Sequence, residues 1–311
     1  WRTMRVLMIG RGRSIALKDL EKYWGEVEVL DTTRSLKPPL KKFDLVVAQE
    51  PLRIIGLISY IHSKTFHEKL IYEVHSDYLP HLGAPDRFMA KFFMKRAYAI
   101  RAVNKTILLR LKDMGLTNIL CIPSIYVRTE EFKPLKPPEE RRPLALYVGR
   151  FVKQKNLTLL LSAFEHVLRS ERIDAKLILV GRGEEEGKLR ILVEKSPLLK
   201  KAVNMIRDWL PTRTLVDYYN SAAVFVSTST HEGGPRTIFE ACACETPFVS
   251  TRTGVVLDYA QHGREGFIVN WSIEEIAEHI TRLLVDLKLR KAMGERARRL
   301  VLEHFEWSKA V

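Results

Sequence analysis

The sequence predicts an α/β protein made of two doubly wound, parallel-sheet domains. Three observations carry that expectation. Short, almost wholly apolar runs alternate with amphipathic stretches along most of the 311 residues, as parallel strands buried on both faces require. The alternation breaks at 133–143, KPLKPPEERRP, and then restarts. A hydrophobic fraction of 46% beside 28% charged residues excludes intrinsic disorder and supplies two ordinary cores.

In the first half, Met4 to Ile9 reads as a strand ending in Gly10-Arg11-Gly12-Arg13, and Ile15 to Trp24 suits a helix. Strands follow near 26–30, 43–48, 69–74, 98–103 and 117–122, with helices near 52–62, 86–97 and 104–114. The four prolines of 133–143 forbid helix and ladder alike. Residues 136–143 are therefore expected to link a domain over 1–135 to one over 144–300. That second domain opens on a strand, Leu144 to Gly149. The following helix, Leu157 to Leu168, aligns Leu157, Leu160, Leu161, Phe164, Val167 and Leu168 on one stripe. Further strands fall at 176–180, 203–207, 223–228, 247–250 and 266–269, with helices between them and two more from 272 onward. In this architecture the carboxyl ends of both sheets should face a cleft.

Composition narrows the partners. Against 51 Lys+Arg stand 37 Asp+Glu, a formal charge of +14 that suits nucleic acid, an anionic membrane or phosphorylated small molecules. Cys121, Cys242 and Cys244 cannot form a paired framework, which favours a reducing compartment. Cys242 and Cys244 lie two apart on one helix and so do not make a metal pair. The uncharged run from Ile54 to Ser63 is too short to cross a bilayer. No charged region followed by an apolar one opens the sequence, so a secretory leader is not expected. The expectation is a cytoplasmic protein.

The most informative stretch is 227–250, STSTHEGGPRTIFEACACETPFVS. A strand enters a loop with adjacent Gly233 and Gly234, and a helix begins near Arg236 or Thr237. Such a turn offers free N–H groups and the positive end of a helix dipole to an anion. Glu232 and Glu240 flank it eight residues apart; carboxylates cannot bind phosphate, but they accept hydrogen bonds from sugar hydroxyls.

This stretch resembles the E-x7-E motif of the retaining nucleotide-sugar glycosyltransferases of family four, which have the GT-B fold. Tyr147-Val148-Gly149-Arg150-Phe151 running to Lys155-Asn156 resembles the family's phosphate-holding segment, Ile178 to Gly183 its next glycine turn, and Thr253-Gly254 and Gly263 to Gly266 its closing loops. The resemblance implies a metal-independent hexosyltransferase with no cofactor, using a nucleoside diphosphate sugar, UDP- or GDP-linked, as donor. It implies catalytic roles for Glu232, Arg150, Lys155 and His75. Arg150 and Lys155 would stabilise the charge growing on the leaving diphosphate. Donor-binding positions are Glu240, Gly233, Gly234, Pro235, Arg236, Thr237, Gly149 and Gly181. Gly10, Arg11 and Arg13 are the acceptor-side candidates, for a phosphate-bearing or lipid-linked acceptor. Phe305-Glu306-Trp307-Ser308 resembles the start of the family's last crossing helix, so 301–311 are expected to begin it. Asn156 and Glu245 stand where the family has glycine.

Other readings compete. The basic, aromatic segment 87–112 has eight Lys/Arg and no acidic residue, which suits peripheral contact with an anionic membrane surface on the inner face of the cell membrane as well as docking on a sheet. A nucleotide-sugar epimerase shares the architecture. A non-catalytic polyanion-binding protein would explain the charge, but no stacking platform or recognition-helix motif accompanies it, so nucleic acid is not expected.

Overall fold

The computed structural model describes residues 3–10, 25–170, 173–208 and 210–310. The expected helix from Ile15 to Trp24 lies outside the described residues, as do Arg11 and Arg13. The chain divides into two compact units after Ser124.

The first unit holds a six-stranded sheet in the order β2-β1-β3-β4-β5-β6, all neighbours parallel. Its strands are β1 (Met4–Gly10), β2 (Gly25–Asp31), β3 (Leu45–Gln49), β4 (Lys69–Val74), β5 (Ala99–Ala102) and β6 (Ile119–Cys121). Three helices described here connect them: α1 (Arg53–Phe66), α2 (Ala84–Met94) and α3 (Lys105–Asp113). Successive side chains of β1 serve opposite faces. Leu7 and Ile9 join the cluster under the helices, with Tyr72, Phe93 and Ile107. Val6 and Met8 join Val47 on the other face. Asn104 caps α3, its Oδ1 accepting from the Ile107 N–H at 2.8 Å.

The second unit repeats the plan in the order β12-β11-β10-β7-β8-β9, again with every neighbour parallel. The strands are β7 (Leu144–Val148), β8 (Lys176–Val180), β9 (Val203–Ile206), β10 (Val224–Ser227), β11 (Phe248–Thr251) and β12 (Gly266–Val269). Between them lie α4 (Leu157–Ser170), α5 (Glu186–Lys195), α6 (Pro197–Ala202), α7 (Thr212–Ser221), α8 (Arg236–Ala243) and α9 (Val256–Tyr259), and α10 (Ile273–Val285) and α11 (Leu287–His304) close the unit. The stripe on α4 is buried as its spacing predicts: Leu157, Leu160, Leu161, Phe164 and Val167 pack with Ala145 and Tyr147. Leu144, Leu146 and Val148 point the other way, into a cluster with Tyr219, Ile238 and Phe239.

The proline-rich run belongs to this second unit. Arg141, expected on a linker, is buried, and its guanidinium donates to the Thr246 hydroxyl at 2.7 Å and to the carbonyls of Cys244 at 2.8 Å and Glu245 at 3.0 Å. Residues upstream of it are held too. Phe132 stacks at an angle on Tyr219, and Val127 bonds the backbone of Phe305 and Trp307. The division between the units therefore precedes the prolines. A sequence reading places a boundary where helix and strand are forbidden, whereas packing and buried polar bonds decide which unit owns the segment.

The two substitutions for glycine have a conformational meaning. Asn156 (φ 47°) and Glu245 (φ 58°) both occupy the left-handed region. Asn tolerates it, but a Glu there costs about 1–2 kcal/mol before compensation. Gly181 carries the opposite constraint, because a Cβ there would lie 1.9 Å from the Gly149 carbonyl oxygen. Glu245→Gly should therefore raise the stability of the chain by roughly 0.5–1 kcal/mol, and Gly181→Ala should lower it by at least about 2 kcal/mol. Urea denaturation followed by circular dichroism checks both signs.

Candidate active site

The second sheet gathers most of the expected residues at the carboxyl ends of β7, β8 and β10. After β7 the chain passes Gly149 and Arg150, makes a 3-10 turn over Lys153–Lys155 and leaves it through Asn156. The left-handed Asn156 directs the chain into α4. Two bonds from the Thr228 hydroxyl, to the carbonyls of Lys155 and Asn156, both 3.0 Å, tie that turn to the end of β10. The loop after β10 returns the contact: Thr230 N–H donates to the Gln154 carbonyl at 2.9 Å, and the Gln154 amide donates to the His231 carbonyl at 2.7 Å. These bonds bring Lys155 and Glu232 together, although 77 residues separate them in sequence.

Glu232 is buried at 7% exposure. The Lys155 ammonium pairs with its Oε1, and the Ser229 hydroxyl donates to the same oxygen at 2.7 Å. Ser229 is itself held, its carbonyl accepting from Thr251 Oγ1 at 2.7 Å and from the indole N–H of Trp271 at 3.0 Å. One carboxylate oxygen is thus saturated, and Oε2 has no protein donor among these bonds. Arg150 is exposed and joins no ion pair with a described residue. Its carbonyl accepts from the Tyr147 hydroxyl at 2.9 Å, so the backbone of the segment is fixed while the side chain stands exposed.

Beyond Glu232 come Gly233, Gly234 and Pro235, and α8 starts at Arg236. No side chain caps this helix; Ile238 N–H donates to the Pro235 carbonyl at 3.1 Å, whereas the Thr237 N–H, in the first turn, has no intrahelical acceptor. The turn is shaped against a neighbouring loop. Val255 N–H donates to the Gly233 carbonyl at 3.0 Å, and a Cβ on Gly254 (φ +60°) would lie 2.7 Å from that same oxygen. A side chain on Gly234 would strike Ile125.

Glu240 lies one turn into α8 and is also buried. The Tyr219 hydroxyl donates to its Oε2 at 2.9 Å, and Arg236 pairs with Oε1 at 2.9 Å. Burial pushes this carboxyl above its ordinary range, although the Arg236 charge and the Tyr219 bond oppose the shift. Glu240 is therefore not a free acceptor: Arg236, half exposed, is the partner that a competing hydroxyl must share or displace. The sequence reading assigned Arg236 through its backbone and missed Tyr219 altogether. The i,i+4 spacing from Arg236 to Glu240 was a visible signal, whereas nothing in the sequence connects Tyr219 to Glu240.

In the first unit, Gly10 and His75 lie at the carboxyl ends of β1 and β4, with β3 between them. Gly10 packs tightly, since a Cβ would meet the Gln49 amide at 2.2 Å. Its structural demand is thus close approach. His75 is partly exposed and contacts Glu73, a residue the sequence reading did not select. Among the described residues no group of three or more His, Cys, Asp or Glu side chains is placed to hold a metal ion.

Two parallel doubly wound sheets, with an uncapped helix and two buried, ion-paired carboxylates at the carboxyl end of the second, define an α/β protein of the GT-B architecture. Residues 127–300, more than half of the chain, match the family of glycosyl transferases group 1, and the chain belongs to that family. It is 30% identical over 164 residues to the capsular polysaccharide biosynthesis glycosyltransferase CapM of Staphylococcus aureus, covering 51% of this chain and 41% of that one. An uncharacterized glycosyltransferase of Methanocaldococcus jannaschii is 24% identical over 299 residues, covering 86% and 73%. The chain spans less than half the length of the first curated relatives it matches, CapM among them. Among solved structures, Anabaena HepE in complex with UDP and glucose superposes with a TM-score of 0.78 at 16% identity, covering 98% of this chain and 96% of that one. That likeness establishes the fold.

The raised Glu240 carboxyl has a measurable sign. Because its folded-state value lies above the unfolded one, ionisation opposes folding, and stability is lost as pH rises from the usual carboxylate range through the folded value. Glu240→Gln should melt at a higher temperature than the parent at neutral pH, with the gap closing as pH falls below that range. Differential scanning fluorimetry across pH tests it.

Proposed function

We propose that this chain is a retaining, metal-independent glycosyltransferase that moves a hexose from a nucleoside diphosphate sugar to an acceptor hydroxyl. The observation that carries the reading is the joining of Lys155, Ser229 and Glu232 beside the uncapped start of α8, inside the region that matches the family. Arg150, Lys155 and the N–H groups of Gly234 to Thr237 would receive the diphosphate. Oε2 of Glu232 would accept from the donor sugar, and Glu240, with Arg236, from the ribose or sugar hydroxyls. Lys155 serves twice in this reading: it compensates the buried Glu232 and adds positive charge where the leaving phosphate becomes more negative.

The reaction then needs no protein nucleophile. The acceptor oxygen bonds to the anomeric carbon on the face from which the diphosphate departs. The carbon–phosphate-oxygen bond breaks, and the acceptor proton passes to the leaving phosphate oxygen. His75 would hydrogen-bond the sugar. UDP-glucose is the first donor to test, since a structure of HepE contains it. The acceptor is proposed to be a sugar hydroxyl or a lipid-linked, phosphate-bearing one, met by the first unit around Gly10, Arg11 and Arg13.

Thermal-shift screening against nucleoside diphosphates and their sugars identifies the donor, a ligand at 100 times its Kd adding about 2.7 kcal/mol. With that donor, Glu232→Gln, Lys155→Met and Arg150→Ala should each reduce kcat by about 100-fold or more. Full turnover in all three would overturn the assignment. Donor incubated alone separates the epimerase: that enzyme converts it to a rearranged nucleotide sugar without any acceptor.

A peripheral membrane role belongs to the same proposal. Helix α1 exposes Ile54, Leu57 and Ile61 at helical spacing, and α2 exposes Phe88 and Met89 beside Arg87 while Phe93 and Met94 pack inward. Apolar side chains among cations suit the surface of an anionic bilayer. No described helix is long and apolar enough to cross a membrane. The chain should co-sediment with phosphatidylglycerol vesicles at low salt and be released at high salt; failure to bind at low salt removes the membrane role.

A further inference from the structure

We infer that Glu73 is a positioning residue that sets the tautomer of His75, so that Nδ1 is the ring nitrogen offered to a ligand hydroxyl. The inference rests on the role proposed above for His75. Glu73 is the penultimate residue of β4 and is buried at 6% exposure. Its Oε2 lies 3.0 Å from His75 Nε2. Its Oε1 accepts from Arg101 Nη1 at 2.6 Å across the neighbouring strand, at the register Glu73↔Arg101. Arg101 is fixed in turn, its guanidinium donating to the carbonyls of Ile122, at 3.1 Å, and Pro123. The backbone at this point is also held, the Glu50 N–H donating to the Glu73 carbonyl at 2.9 Å.

Charge decides the donor. Burial alone would raise the Glu73 carboxyl, but the bond and charge of a protonated His75 and the charge and bond of Arg101 outweigh it and leave the group below the ordinary carboxylate range, and Arg101, always charged, stays bonded to Oε1 when the ring is neutral. An ionised carboxylate only accepts, so Nε2 carries the proton in the bond to Glu73. Nδ1 of the neutral ring is then an acceptor, and it meets no described partner. His75 follows β4 directly, and its ring lies on the same side of the chain as the Glu73 carboxylate that it contacts. The Glu thus reaches the ring while Arg101 prevents the carboxylate from turning away. A ring locked this way presents a fixed acceptor to a hydroxyl, which a freely flipping imidazole does not.

The test uses the full chain labelled with 15N-histidine, with long-range 1H–15N spectra and the His75 signals assigned by their loss in His75→Gln. The expected result is the Nε2–H tautomer for the neutral ring in the parent protein; an Nδ1–H tautomer there overturns the inference without any variant. Glu73→Gln, whose carbonyl oxygen must keep facing the Arg101 donor, turns its amide N–H2 to the ring and should shift the neutral ring toward the Nδ1–H tautomer. It should also lower kcat about tenfold or more with the donor KM little changed. Glu73→Asp, whose shorter arm withdraws the carboxylate, should lower kcat likewise and replaces the Gln variant if that one does not fold. Unchanged tautomer and unchanged kcat in the variant, with activity lost in His75→Ala, sinks the positioning role. If His75→Ala keeps full activity, it is the proposed role of His75 that fails, while the tautomer spectra still report on Glu73.

Discussion

The buried ion pair between Lys155 and Glu232 is the constraint on which the second unit's site depends. A carboxylate removed from water costs several kcal/mol unless a counter-charge and hydrogen bonds compensate it. Lys155 and Ser229 provide both. Neither reaches Glu232 unless the loop after β7 and the loop after β10 are laid side by side, which the parallel pairing of β7 with β10 and the Thr228, Thr230 and Gln154 bonds accomplish. The site is thus a consequence of strand order. Two segments distant in sequence end at neighbouring positions in the sheet, and their charges complete each other.

The surrounding parts share this logic of polar groups satisfied by structure. Gly149 and Gly181 let two loops touch where a side chain would collide. Asn156 takes a left-handed turn so that the chain can enter α4 just after Lys155. Tyr219 reaches from α7 to α8 and holds Glu240 in a buried position that its charge opposes. In the first unit Glu73 is placed between Arg101 and His75 in the same manner. Each device spends stability on placing a polar group near a strand end, where proteins of this architecture bind ligands.

The alternation of strands and helices was legible because a parallel sheet covered on both faces forces apolar runs, and because α4, with its stripe from Leu157 to Val167, obeys a strict helical period. The glycine loop between Glu232 and Glu240 was legible as well, since glycine pairs and helix starts have local chemistry. The ownership of 125–143 was not. Prolines announce a break in regular structure, but Arg141 reveals where the segment docks only through carbonyls at the far end of α8. Nor did the sequence distinguish inward from outward aromatics in α2: Phe93 packs beside Gly56, while Phe88 is exposed.

By itself the sequence determined the class of fold, the order of its elements and the glycine turn that leads into α8, because periodicity, glycine placement and helix signals act over a few residues. Only the tertiary structure decided which charges meet: Lys155 with Glu232, Tyr219 with Glu240, and Glu73 with both His75 and Arg101. The physical reason is range. Local propensity is written along the chain, whereas the cost of burying a charge is met by whatever partner the sheet order brings alongside.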